Sequence, residues 1–138
     1  MSRGGACLLF RLGDRPFGLP LDQVGEIAPV ERLHPVPLAP RPVLGLMNLR
    51  GQVITLVDLG AILDLVVSAS GRTELALVLA APRQNLALRV LAPVEIGEVP
   101  AEDDGDAVEV LSAQELAARL ELGLEEGFRT GATTGAGA

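Results

Sequence analysis

Apolar residues in this chain come in short runs cut by turn-forming residues. Ala6 to Leu12 is one run, stopped by Gly13-Asp14, and Pro16 to Pro20 is the next. Two apolar runs split by a Gly-Asp turn predict a β-hairpin. Leu21, Val24 and Ile27 then recur at a spacing of three. That spacing predicts one face of a short helical segment ending before Pro29, because the residue ahead of a proline is disfavoured in helical backbone. Five prolines between Pro29 and Pro42 exclude a long helix and favour extended or turn backbone. Val43 to Leu49 and Gln52 to Leu59 flank Arg50-Gly51 and predict a second hairpin, with glycine where a positive φ is needed.

Asp58 precedes Leu59-Gly60-Ala61-Ile62-Leu63 and is placed to cap a helical turn. Glu74 to Ala81 is almost wholly apolar, as a strand buried on both faces would be. Pro82-Arg83-Gln84-Asn85 turns into a strand over 86–92, and Pro93 separates it from another over 94–99. An acidic loop, Pro100–Asp106, leads to a short strand through Leu111. Ser112-Ala113-Gln114-Glu115 matches a capping box, and Leu116 and Leu120 mark the inner face of the helix it starts. Many short strands, regular turns and small helices predict a mainly β fold of small Greek-key or SH3-like barrels. The folded unit is expected over residues 1–122. Residues 123–138, rich in Gly, Ala and Thr, bury too little to offset the ~1–2 kcal/mol per residue of ordering entropy and are expected to form a disordered tail.

Composition narrows the function. The 138 residues include three Phe, no Trp and no Tyr, with a net charge of −7. Nucleic-acid binding, which relies on stacking platforms and basic patches, is disfavoured. Residues 1–65 carry six Arg and six acids; residues 66–138 carry five Arg and twelve acids and so supply the whole −7. Seven of those acids lie between Glu95 and Glu109. They read as a solvated loop or, alternatively, as a site for an ion or a basic partner. The chain has no Lys, which argues against Schiff-base chemistry and a Walker-type ATPase. Cys7 stands alone in an apolar run and reads as a small buried hydrophobe in a reducing compartment. With no signal-like segment and no apolar run of ~18 residues, a cytoplasmic protein without membrane insertion is expected.

The search for chemistry comes back empty. His34, the only His, lies beside Pro35 and has no ligand set around it. Glu102-Asp103-Asp104-Gly105-Asp106 lacks the spacing of a calcium loop. Neither a Gly-x-Ser-x-Gly elbow nor a Gly-x-Gly-x-x-Gly turn is present. No enzyme, metal or cofactor is expected. What stands out is an apolar hairpin punctuated by Asn48, Arg50 and Asp58. Arg50 either is a solvated turn residue or has an acidic partner, and Glu26 is the obvious candidate.

These residues resemble the CheW-like domains, the chemotaxis coupling proteins. The likeness covers roughly residues 7–122. It rests on Phe10-Arg11-Leu12-Gly13, Phe17-Gly18-Leu19, Val24-Gly25-Glu26-Ile27, and Gly45 followed by Asn48-Leu49-Arg50-Gly51, Ile54 and Val57-Asp58-Leu59. The resemblance implies two small intertwined SH3-like barrels and no catalysis. It implies an adaptor between the methyl-accepting chemoreceptor tip and the regulatory domain of a CheA-type histidine kinase. It implies a structural ion pair of Glu26 with Arg50, and a protein-binding surface of Val24, Glu26, Gly45, Asn48, Arg50 and Gly51. The chain departs from the pattern after Val99, where roughly one hairpin is absent. The second subdomain is therefore expected to be shortened, which puts the kinase contact in doubt. In this the chain is similar to short CheW-like proteins of Frz-type gliding-motility pathways. The alternative is a regulatory or dimerisation module that meets a single partner.

Overall fold

The computed structural model describes residues 5–99 and 107–121. The expected acidic loop at 100–106 and the expected tail at 123–138 lie outside the described residues.

Among the described residues nine short strands form two sheets, and the order of strands explains how the two sheets share one core. The first hairpin pairs β1 (Cys7–Leu12) with β2 (Arg15–Pro20), the register closing at Leu12 opposite Arg15. Strand β8 (Glu95–Gly97) adds to β1, and β9 (Glu109–Val110) adds to β2 in parallel, giving a four-stranded sheet in the order β8-β1-β2-β9. Everything between builds the second sheet: β3 (Val24–Pro29), β4 (Val43–Leu49), β5 (Gln52–Asp58), β6 (Glu74–Leu79) and β7 (Leu86–Leu91), in the order β3-β6-β7-β5-β4.

Among the described residues the smaller sheet has four strands, two from residues 7–20 and two from residues 95–110. Residues 74–91 lie in the middle of the complete sheet. The expected helix over Leu21–Ile27 is corrected: only Leu21–Gln23 form a 3₁₀ turn, and Val24 already starts β3. A spacing of three fits that single turn. Beyond it, pairing with β6 satisfies the backbone of Val24 through Pro29, and Gln23 O accepts from Ala80 N–H at 2.9 Å.

Period-two alternation divides β5, β6 and β7 between two cores. Leu8, Phe10 and Leu12 from β1 and Phe17 and Leu19 from β2 face Val57, Leu77, Leu79, Leu88 and Val90 of the other sheet. The opposite faces of β5, β6 and β7 supply Ile54, Leu56, Ala76, Val78 and Ala87, which with Met47 fill the five-stranded barrel itself. Strands buried on both faces read as unbroken apolar runs, which is why 74–79 shows no alternation in sequence.

The caps hold the two sheets together. Asp58 Oδ1 accepts from Gly60 N–H at 3.0 Å and starts α1 (Leu59–Ile62). Ser112 Oγ accepts from Glu115 N–H at 3.3 Å at the start of α2, residues 113–121. A second cap on α2 comes from ninety residues away: Gln23 Oε1 accepts from Ala113 N–H at 2.7 Å. Ala113, Leu116 and Leu120 then pack into the shared core. Among the described residues no helix is long and apolar enough to cross a membrane.

Candidate functional site

The β4–β5 hairpin turns in two residues, Arg50 at φ 53° and Gly51 at φ 86°. Positive φ at both central positions is the type I′ geometry, whose twist matches the flanking strands. Asn48 Oδ1 accepts from Gly51 N–H at 2.8 Å and fixes the turn from within. The tip is therefore held in one shape before any partner arrives. Arg50 reaches across to β3 and pairs with Glu26, donating through Nη2 to Oε1. The Arg50 side chain is 70% exposed and that of Glu26 32%, so the pair lies on the surface. The hydrogen bond from Arg50 holds the Glu26 carboxyl below the usual carboxylate range, and Glu26 raises the Arg50 guanidinium in return.

β3 and β4 are the two edges of the five-stranded sheet, so a contact between them closes it. The Glu26–Arg50 pair is one such contact. His34, in the segment that follows β3, also pairs along β4: its N–H and carbonyl bond the carbonyl and N–H of Leu46, each at 2.8 Å, as an isolated antiparallel bridge. The proline-rich segment between β3 and β4 thereby covers an edge that would otherwise be open.

The structure brings Glu26, Asn48, Arg50 and Gly51 together as one exposed patch, and sets two of the expected binding residues apart from it. Gly45 is buried beneath His34. Val24 is half-buried and packs against the shared core. Exposed Asn48 beside His34, Glu31 and Arg32 lines an open polar hollow next to the hairpin.

One charged cluster had no place in the sequence reading. Arg89, in the middle of β7, is only 14% exposed; Nη2 lies 3.3 Å from Asp58 Oδ2 and Nη1 lies 3.2 Å from Glu74 Oε1. Asp58 and Ala76 are its register neighbours on the two flanking strands. Side chains at Asp58, Glu74 and Arg89 share the face that carries Leu56, Ala76 and Ala87, so the cluster plugs one end of the five-stranded barrel. Its signal was a lone Arg in the apolar run Leu86–Leu91. Cys7 is buried, and burial, with a smaller push from Asp22, raises its thiol, which leaves it a poor nucleophile. Among the described residues no three His, Cys, Asp or Glu side chains converge as metal ligands would.

Comparison with known proteins agrees with this architecture. The scaffolding protein TtCheW from Thermoanaerobacter tengcongensis, known from its crystal structure, superposes with a TM-score of 0.71 over 82% of this chain and 87% of that one, at 17% identity. At that identity the likeness is one of fold. The chemotaxis protein CheW of Rhizobium meliloti (strain 1021) is 42% identical over 62 residues, 44% of this chain and 40% of that protein. The chemotaxis protein CheW of Treponema pallidum (strain Nichols) is 38% identical over 50 residues, 36% of this chain and 29% of that one. The matched stretch thus spans less than half the length of either curated relative. Residues 6–123 match the CheW-like domain, and on that match the chain belongs to the CheW-like domain family.

Proposed function

We propose that this chain is a cytoplasmic coupling adaptor of a chemosensory pathway, joining a chemoreceptor tip to a CheA-type histidine kinase. The family is one of non-catalytic scaffolds and adaptors, so a binding surface is what the fold has to provide. One observation carries the reading: an exposed hairpin tip, rigid by its own turn chemistry and tied to β3 by Glu26–Arg50. Glu26, Asn48, Arg50 and Gly51 form the receptor-facing patch. Val24, packed against the shared core, and Gly45, buried beneath His34, support it from below. The sheet that has only four strands among the described residues favours a second reading, a module that meets one partner only.

Titration calorimetry against a purified receptor tip and a purified kinase regulatory domain separates the two. The adaptor reading expects both to bind, and to bind together; binding of one alone selects the second reading. A double-mutant cycle of Glu26→Ala and Arg50→Ala tests the patch. Each single variant is expected to weaken receptor binding, with a smaller combined loss than the sum. Stability should barely change, since exposed pairs contribute little. Additive losses of affinity, or receptor binding unchanged in both single variants, would refute the assignment.

The same pair makes a pH prediction. Because Glu26 has its carboxyl lowered in the folded state, the pair is intact above the ordinary carboxylate range and is lost as pH falls through the lowered value. Receptor affinity is therefore expected to be flat from about pH 8 to about pH 6 and to fall only in acid. A loss of affinity near neutrality would mean that another group governs the contact.

A further inference from the structure

The two sheets treat their edges differently. The five-stranded sheet ties β3 to the β4–β5 turn through Glu26–Arg50 and covers β4 with the segment that carries His34. The four-stranded sheet ends at β8 and β9, of three and two residues, and among the described residues neither has an outer neighbour. Both edges carry an exposed apolar side chain, Ile96 at 64% and Val110 at 50%. The face turned away from the shared core is apolar as well. Leu9 lies there between two glycines: a Cβ on Gly18 or on Gly97 would stand 3.2 Å from one of its δ-methyls. Val108 packs over Gly18 on the same face. This is a shallow apolar trough bounded by backbone that has no outer neighbour among the described residues, the form an added strand fits.

Charge selects the occupant. Glu95 and Glu98 are exposed beside β8, and Glu109 is exposed on β9, with Arg15 as its partner at 3.0 Å. A second copy would bring the same acids to the same edge, and the chain's net charge of −7 adds to that repulsion. We infer that the edge formed by β8 accepts an extended segment of a partner protein in which apolar residues alternate with Lys or Arg. Apolar side chains extend the row begun by Ile96, and basic ones, on the opposite face, meet Glu95. The inference is independent of the receptor-facing patch.

Synthetic ten-residue peptides provide the test, read by amide shifts and hydrogen exchange on the whole ¹⁵N-labelled chain. One peptide alternates Val and Lys, one alternates Val and Glu, and one keeps the Val/Lys composition with two prolines inserted. The Val/Lys peptide is expected to protect the amides of Glu95–Gly97 and to bind at least about tenfold more tightly than either control, with the preference over Val/Glu shrinking as salt rises. Ile96→Lys should abolish that protection and leave the amides of 43–58 unchanged. Equal binding of the proline peptide would mean charge attraction without strand pairing and would overturn the proposal. So would protection, in the free protein, of those amides at 95–97 that point away from β1, self-association through this edge, or binding of neither Val peptide.

Discussion

Arg89→Met is expected to lower the unfolding free energy by about 2–3 kcal/mol, read from urea denaturation at neutral pH. Removing one partner of a fully buried ion pair typically costs ~3–5 kcal/mol, mostly because the other charge is left without compensation. Here Arg89 is 14% exposed, but Asp58 and Glu74 keep 27% and 41% of their side-chain surface, so water takes up part of the loss. Methionine keeps most of the aliphatic stem, so the loss reports charge more than packing. Two carboxylates then face each other at the barrel end without their shared cation. Adding Glu74→Gln to Arg89→Met should recover part of the loss, because it removes one stranded charge. Asp58→Asn is a poorer rescue, since Asp58 Oδ1 also caps α1. If Arg89→Met unfolds at the same urea concentration as the parent, the cluster contributes nothing net and only occupies space.

How much of this was legible in sequence depends on how local the cause was. The hairpins were, because Gly13-Asp14 and Arg50-Gly51 carry their turn geometry in two residues. The caps at Asp58 and Ser112 were, because a short polar side chain bonds the backbone two or three residues ahead. The helix expected through Val24–Ile27 was not, since a spacing of three cannot tell one 3₁₀ turn from the start of a longer helix; long-range pairing with β6 decided the matter. The Gln23 cap on α2 was invisible for the same reason, with ninety positions between donor and acceptor. Arg89 is a different kind of omission. A charge isolated in an apolar strand needs a partner, an argument that applies to Arg50 and to Arg89 alike. Arg50, at a turn, proves to be on the surface; Arg89, in mid-strand, is the one that is largely buried. Position within the element, and not the apolar surroundings alone, predicts which lone arginine the fold encloses.

Gly45→Ala is expected to destabilise the fold by about 3 kcal/mol, although the change adds one methyl group. Gly45 sits in β4 at φ 151°, where the register with β5 shifts, and is buried. A Cβ there would lie 2.6 Å from the His34 carbonyl oxygen and 3.0 Å from its carbonyl carbon. Those are backbone atoms, and the oxygen is held in place by the Leu46 N–H at 2.8 Å. Relief therefore requires the proline-rich segment to lift off β4, opening an edge of the sheet. Overpacking alone costs about 1–3 kcal/mol, and an unfavourable φ for an L side chain adds about 1–3 more, part of which relaxation returns. Gly51 is the internal control. Its φ is also positive, but nothing lies within 4 Å of a Cβ there, so Gly51→Ala meets only the backbone term, about 1 kcal/mol. Hydrogen exchange should show the Leu46 and His34 amides losing protection in Gly45→Ala, with β6 and β7 unchanged. The pairing of Arg50 with Glu26 joins the same two edges, so receptor affinity should fall together with stability and recover when the fold is stabilised elsewhere. A variant as stable as the parent that nonetheless fails to bind a receptor tip would make Gly45 a contact residue after all.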